Sequence, residues 1–153
     1  LAKYYTFTGA GLSAAEAEEL GIVTKLVQPA DVDAAISDLT GGKKPEKYKD
    51  RPLPDRFKPF AEICSRKNVD RLLSGEKPEG VDDKLAGKTL KIVGYKAPLA
   101  LKLADEIIDA QQGKPMAEAV EIELGRLAEI FSTEDALEGL SSLGRKRPEF
   151  KGK

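Results

Sequence analysis

Apolar side chains recur every three or four positions between residues 97 and 131, and this spacing constrains the fold of the chain more than any other feature. In the first half of this stretch the recurring residues share one helical face: Ala100, Leu103, Ala104, Ile107 and Ile108. Pro98 suits the first turn of such a helix, and Gly113 suits its end. The spacing therefore predicts a helix over about 97–112 within a mainly α chain.

A second and longer helix is predicted from Pro115 to about Phe131. Its main apolar stripe contains Met116, Val120, Leu124, Leu127 and Phe131. Ile122 and Ile130 fall outside that stripe. A helix that is apolar over so wide an angle is expected to contact neighbours on two sides, and the second neighbour could be another subunit.

Two further helices flank this pair. One covers about 81–95. The other begins at Ser132-Thr133-Glu134-Asp135, where hydroxyl groups cap the helix and acidic groups lie in its first turn. It ends near Gly144. We interpret Glu134 and Asp135 as helix-start electrostatics and not as an acid–base pair.

The N-terminal residues carry a different set of signals. Residues 1–12 begin with a short apolar run and end in a loop that contains glycine. Ser13 and Glu16 form a capping box that opens a helix, and Gly21 ends it. The β-branched and partly alternating residues 22–27 predict one short strand.

The middle of the chain is predicted to be less regular. After a helix over about 29–39, residues 41–54 are rich in glycine, proline and charge, which is typical of a loop or linker. Two short helical pieces follow at about 55–66 and 68–74. Because 41–80 has few apolar residues, we expect a peripheral insertion without a core of its own.

The residue types that are missing exclude several kinds of chemistry. The chain has no histidine, and Cys64 is its one cysteine. Nucleophile pairs that need histidine, an intramolecular disulfide, a cysteine-based zinc site and most other transition-metal sites are therefore excluded. We predict no catalytic residue and no metal ligand within the chain.

Composition also bears on partners and location. The 25 basic and 26 acidic residues nearly cancel, so we expect no nucleic acid and no membrane among the partners. No apolar run approaches the length of a membrane span. The lone cysteine favours a reducing compartment, and the predicted location is cytoplasmic. One asparagine and three glutamines among many lysines and glutamates are typical of a thermophile.

Two groups of short motifs occur in order along the chain. The first comprises Thr8-Gly9, Ser13-Ala14-Ala15-Glu16-Ala17 and Gly21-Ile22-Val23. The second comprises Lys96-Ala97-Pro98-Leu99-Ala100, Phe131-Ser132-Thr133-Glu134-Asp135-Ala136, Glu138-Gly139-Leu140 and Lys146-Arg147-Pro148-Glu149-Phe150-Lys151-Gly152. In this order, over about residues 1–40 and 81–153, they resemble the crotonase superfamily of enoyl-CoA hydratases and isomerases.

The resemblance implies the C-terminal helical region of a crotonase-like fold. Residues 1–40 would end the crotonase core, 41–80 would be an inserted region of loop and short helices, and 81–153 would form the helices that make trimer contacts and close over CoA. The long 41–80 connection is similar to proteins that fuse a 3-hydroxyacyl-CoA dehydrogenase to the hydratase. NAD would be a cofactor only in such a fusion, and no dinucleotide fingerprint is present.

The resemblance also implies a division of chemical roles. In the family, the oxyanion donors and the catalytic carboxylates lie N-terminal to the Thr-Gly motif, and Leu1 is not a natural start residue. We therefore expect a piece of a longer enzyme that is inactive alone. The implied ligand is an acyl-CoA thioester, and the implied assembly is a homo-oligomer. Phe131 would lie near the CoA or acyl channel, and Lys146 and Lys151 would contact CoA phosphates.

Other interpretations stay open at this point. Phe131 could be an ordinary core residue at a helix end. Lys146, Arg147 and Lys151 could contact phosphate or could belong to a solvated tail. The whole chain could be a non-enzymatic helical module for protein interaction, because its residues form no catalytic constellation.

Overall fold

The computed structural model describes residues 1–44 and 52–153. The fold is mainly helical, as predicted. The α-helices are α1 (Ala2–Thr8), α2 (Ala14–Glu19), α3 (Val32–Thr40), α4 (Lys58–Glu62), α5 (Val69–Leu73), α6 (Asp83–Val93), α7 (Pro98–Gln111), α8 (Met116–Gly125), α9 (Leu127–Phe131) and α10 (Glu134–Ser142). Within the described ranges, no helix is both long and apolar enough to cross a lipid bilayer.

Two compact units make up the chain. The larger combines Leu1–Ala10 with Pro59–Lys153, and the smaller comprises Gly11–Lys58. The predicted three-part division, with boundaries near residues 40 and 80, describes parts of a longer fold and stays a prediction.

Helix α7 is the centre of the larger unit, where it contacts α1, α5, α8 and α9. The buried apolar cluster around it draws on sequence-distant segments: Tyr4, Phe7, Ile63, Cys64, Val69, Leu72, Val93 and Leu101. Short helices such as α1 and α5 are marginal alone in water, so packing against this cluster stabilises them.

The expectation that residues 41–80 lie at the periphery is wrong for their second half. Ile63 and Leu72 are fully buried in the cluster. Asn68 lies between them in sequence and is also fully buried. Its amide donates to the carbonyls of Glu62 (3.0 Å) and Glu79 (2.9 Å) and accepts the N–H of Glu79 (2.8 Å). The segment is too poor in apolar residues for a core of its own, but it completes a shared one.

One helix was not predicted, and one predicted helix is divided. The first residues form α1, which ends at Gly9 in a left-handed conformation with φ 65°. The predicted long helix from Pro115 is divided at Arg126, so α7 is the longest helix described. Glycine weakens a helix interior, and Gly125 immediately precedes the break. The Arg126 guanidinium donates to Glu129 (2.6 Å) and to Glu106 of α7 (2.7 Å).

In the smaller unit the predicted helix signals hold and the predicted strand does not. The capping box of Ser13 and Glu16 is present, and Gly21 follows α2 with φ 73°. Residues 22–27 are irregular, and no strand occurs among the described residues. A strand requires a pairing partner, whereas here the Leu26 N–H donates to the Glu18 carboxylate (2.9 Å).

Helix α3 forms close to its predicted position. A single turn of 3-10 helix over Pro29–Asp31 precedes it. Its apolar residues Val32, Ile36 and Leu39 are exposed, so in this unit apolar periodicity predicts the helix but not its burial. The linker predicted over 41–54 is only partly described, because 45–51 lie outside the described residues.

Candidate functional site

Residues 143–153, here called the tail, follow α10 and are fastened to its first turn by Asp135. The Thr133 hydroxyl caps α10 by accepting the Ala136 N–H (3.0 Å). The Asp135 carboxylate, 2% exposed, accepts the N–H groups of Lys151 (2.6 Å) and Gly152 (2.8 Å). The Asp135 N–H in turn donates to the Lys153 carbonyl (3.0 Å). Asp135 therefore holds the end of the tail in addition to its place at the helix start.

Glu138, one turn further along α10, holds the beginning of the tail. Its Oε1 accepts the Ser142 hydroxyl (3.0 Å) and the Glu149 N–H (3.2 Å), and it pairs with Lys146 Nζ (2.9 Å). The Lys146 ammonium has the largest effect on the pKa of Glu138 and holds it below its usual value. The Glu149 N–H and the Ser142 hydroxyl lower it further. Gly139 comes next, and a Cβ there would lie 3.4 Å from the Phe150 ring. The Glu-Gly pair thus provides an acceptor and a place for the aromatic side chain.

Because Glu138 binds Lys146 and Glu149, and Asp135 binds Lys151, the backbone of Arg147 is held at a defined position within the tail. Its guanidinium carbon lies 3.6 Å from the centroid of the Tyr95 ring. A cleft of about 450 Å³, here called the Tyr95 cleft, opens at this contact. Its lining residues are Gly94, Tyr95, Lys96, Pro98, Arg147, Pro148, Glu149 and Phe150. The segment before α7 and the tail, about fifty residues apart in sequence, thus form one concave surface.

The three predicted site residues lie at different places in the larger unit. Phe131 ends α9 and is 64% exposed, so the interpretation of it as a core residue is wrong for this chain. Lys146 is exposed and paired with Glu138, and Lys151 is exposed while its backbone N–H is bound to Asp135. None of the three is among the described residues that line the Tyr95 cleft. Their predicted contacts with CoA stay a prediction.

Sequence reasoning did not assign a role to Tyr95 or Lys96, although Lys96 belongs to the motifs quoted above, and it weighed Arg147 only with Lys146 and Lys151, as solvated tail or phosphate contact. A weak signal was available, because an aromatic residue and a lysine stand three and two positions before a helix-opening Pro98. What was missing was the pairing of that segment with the tail, which no local pattern encodes.

Two other ionisable features of the larger unit, the ion pairs of Lys3 and the buried Cys64 thiol, have structural roles. Lys3 Nζ of α1 lies 2.6 Å from Asp105 and 2.7 Å from Asp109, both on α7. Burial alone would lower the pKa of Lys3, but its hydrogen bonds to the two carboxylates outweigh burial and raise it.

Burial raises the pKa of the Cys64 thiol to about 11, so the nucleophilic thiolate is scarce at neutral pH. Within 1–44 and 52–153, no group of three or more histidine, cysteine, aspartate or glutamate side chains is arranged to hold a metal ion.

The contacts of Glu138 predict how the tail responds to pH. Because its pKa is lowered in the folded chain, ionised Glu138 stabilises the attached tail. That stabilisation is fully present above the usual glutamate pKa of 4.5 and is lost as the pH falls through the lowered value. We expect the NMR signal of the Glu149 amide to shift in an acid transition centred below pH 4.5.

A Glu138→Gln variant is the control for this titration. It removes the ionisable group and keeps an acceptor oxygen, so the transition at the Glu149 amide should disappear while those at other carboxylates remain. An unchanged transition in the variant would show that another acid is responsible.

Comparison with known proteins provides no family for this chain. No protein-family model matches it, and neither a curated protein nor a solved structure matches it significantly. The resemblance to the crotonase superfamily therefore rests on the sequence motifs alone.

Proposed function

We propose that this chain is the C-terminal part of an enoyl-CoA hydratase/isomerase of cytoplasmic fatty acyl-CoA metabolism, and that it contributes an oligomer interface and part of the CoA pocket. The observation that carries the proposal is that residues of the second motif group contact one another in α10 and the tail. Thr133, Asp135, Glu138 and Gly139 cap α10, bind the tail and accommodate Phe150. Residues that resemble the family's pattern thus jointly fix a basic tail.

A fixed basic tail suits the recognition of CoA phosphates. The Lys146 ammonium is held near α10 by Glu138, and the Lys151 backbone is held by Asp135, while both side chains remain exposed. A lysine on an ordered backbone loses less freedom on binding a phosphate than one on a mobile segment. Exposed Phe131 at the end of α9 is available to an acyl chain or to a neighbouring subunit.

The C-terminal helices of the larger unit also display unusual apolar surface. The exposed large apolar residues of α8, α9, α10 and the start of the tail are Met116, Val120, Leu124, Leu127, Phe131, Leu137, Leu140 and Leu143. A large amount of exposed apolar surface on a folded protein usually marks a contact site. This surface supports the proposed homo-oligomer, with contacts of the trimer type in the parent enzyme.

The proposal assigns no catalytic step to these residues. The resemblance places the oxyanion donors and the acid–base carboxylates in polypeptide before Thr8-Gly9. NAD would enter only if the parent were a dehydrogenase fusion. The acyl-CoA thioester would be a ligand of this chain and not a molecule that it converts.

The test measures CoA binding and turnover with the same purified chain. We expect isothermal titration calorimetry to detect CoA binding, and a Lys146→Ala/Lys151→Ala double variant to weaken it about tenfold or more, since charge-assisted contacts are lost. A Lys84→Ala/Lys88→Ala variant removes the same charge from exposed positions on α6 and should bind CoA like the parent chain. The chain is expected not to hydrate crotonyl-CoA.

Two outcomes would contradict the proposal. Hydration of crotonyl-CoA by the chain would show that its own residues supply the catalytic groups. Equal CoA affinities for the two double variants would remove the tail lysines from the pocket.

The exposed apolar surface also favours a second candidate, a non-enzymatic helical module for protein interaction. Both candidates expect the chain to self-associate in sedimentation experiments, so association does not separate them. CoA binding does, because the module requires none. Self-association without detectable CoA binding would favour the module.

A further inference from the structure

The Tyr95 cleft contains two cations without an acidic partner. Among the described residues, no carboxylate lies within 4.0 Å of the charged nitrogens of Lys96 or Arg147. Lys146, next to Arg147 in sequence, is by contrast paired with Glu138. Glu149 is the one acidic residue among the described lining residues, so the lining carries a net charge of about +1, counted as two cations and one carboxylate.

Arg147 is held in a geometry that leaves its donors available. Its guanidinium carbon lies over the face of the Tyr95 ring, 3.6 Å from the centroid. The N–H donors lie in the plane of the guanidinium group and therefore outside the contact with the ring face. The tail on either side is fastened by Glu138 and Asp135, so little chain freedom remains to be lost on binding.

We propose that the Tyr95 cleft binds the phosphate group of a small ligand, with Arg147 donating in a fork to two phosphate oxygens and Lys96 acting as a second positive charge. A fixed, stacked guanidinium group matches phosphate better than it matches a halide ion, because its donors address two oxygens at once. This site is separate from the CoA contacts proposed for Lys146 and Lys151, and it does not depend on them.

The size and lining of the cleft bear on what carries the phosphate. Its volume of about 450 Å³ lies in the range of small-molecule sites and far exceeds one phosphate ion. Tyr95, Pro98 and Phe150 add apolar surface beside the two cations. Free phosphate and an organic phosphate share the recognition by Lys96 and Arg147, and only an organic phosphate would also use the apolar lining.

The experiment titrates inorganic phosphate and phenyl phosphate into the full chain at constant ionic strength and follows backbone amide signals by NMR. Binding should move the amides of 94–97 and 147–150 saturably. Arg147→Gln and Lys96→Gln should each weaken binding about tenfold or more, as expected for loss of a charge-assisted hydrogen bond. Arg145→Gln is the matched control, because it removes one charge from an exposed tail position, and it should change affinity less than about twofold.

Each ligand identifies one source of the phosphate. Phenyl phosphate binding at least about tenfold tighter than inorganic phosphate would assign an organic phosphate to the cleft, whereas equal affinities would assign free phosphate. Arg147→Lys separates charge from geometry, because it should recover only part of the affinity.

The proposal is overturned if phosphate causes no saturable change at the cleft amides, or if Arg145→Gln weakens binding as much as Arg147→Gln. Weakened CoA binding in a Lys151→Ala variant, which keeps the backbone N–H that binds Asp135, with phosphate binding intact, would confirm that the two sites are distinct.

Discussion

The Asp135→Ala variant is expected to release the tail from α10 and to lose about 2–4 kcal/mol of stability, since two hydrogen bonds to a buried carboxylate disappear together. The carboxylate is 2% exposed and accepts two consecutive N–H groups, those of Lys151 and Gly152. Alanine cannot accept either donor, and water reaches them only if the tail separates from the helix. We expect urea unfolding to shift to lower concentration and the amides of 151 and 152 to lose their protection from hydrogen exchange.

Glu134→Ala is the matched control for this variant. Glu134 is the exposed neighbour in the same first turn, so its removal changes the charge at the helix start equally. We expect an effect within about 0.5 kcal/mol, as is usual for exposed substitutions. If the two variants lost similar stability, helix electrostatics and not attachment of the tail would explain Asp135.

The Leu72→Ala variant is expected to lose about 2–5 kcal/mol of unfolding free energy, because it leaves a cavity in the shared core. Leu72 is 1% exposed in α5 and belongs to the cluster that includes Phe7 and Leu101. The loss would show that 59–80 belong to the core of the larger unit. Urea unfolding followed by circular dichroism measures the change, and an unchanged slope would indicate that the transition remains cooperative.

Leu137→Ala provides the comparison, since it makes the same substitution within a helix. Leu137 is 69% exposed on α10, so its truncation should change the free energy of unfolding by less than about 1 kcal/mol. Leu72→Ala and Leu137→Ala with equal effects would mean that Leu72 does not lie in a tightly packed core. If Leu137→Ala reduced self-association instead, α10 would contribute to the proposed oligomer surface.

The two pairs of variants test the two parts of the chain that together form the Tyr95 cleft. Leu72 reports on the core that places α7, and α7 begins at Pro98, two residues after Lys96. Asp135 reports on the tail that carries Arg147. Disturbing either one should therefore weaken phosphate binding at the Tyr95 cleft without removing any residue that lines it.

Local signals in the sequence predicted most helices. The caps at Ser13 and Thr133 and the turn at Gly21 depend on atoms within about five residues of one another. The partners in such interactions are near neighbours in sequence, so a local pattern can identify them. The same reasoning explains why α7 was predicted to within a residue or two, since Pro98 and Gly113 mark its ends.

Predictions failed where distant partners decide the outcome. Residues 22–27 have the composition of a strand, but no described segment forms a partner strand beside them. The break at Arg126 involves a bond to Glu106, twenty positions earlier on another helix. The apolar residues of 63–72 are buried because they pack against side chains of α1 and α7. The segment itself supplies only a few members of that buried cluster.

The candidate site divides in the same way. The sequence by itself determined most helices, their caps and the residue types available for chemistry, because these follow from neighbouring residues and from composition. Only the tertiary structure decided that Asp135 and Glu138 hold the tail and that Arg147 lies against Tyr95. Those contacts join residues up to about fifty positions apart, and the free energy that selects them belongs to the packed core as a whole, so no local pattern specifies them.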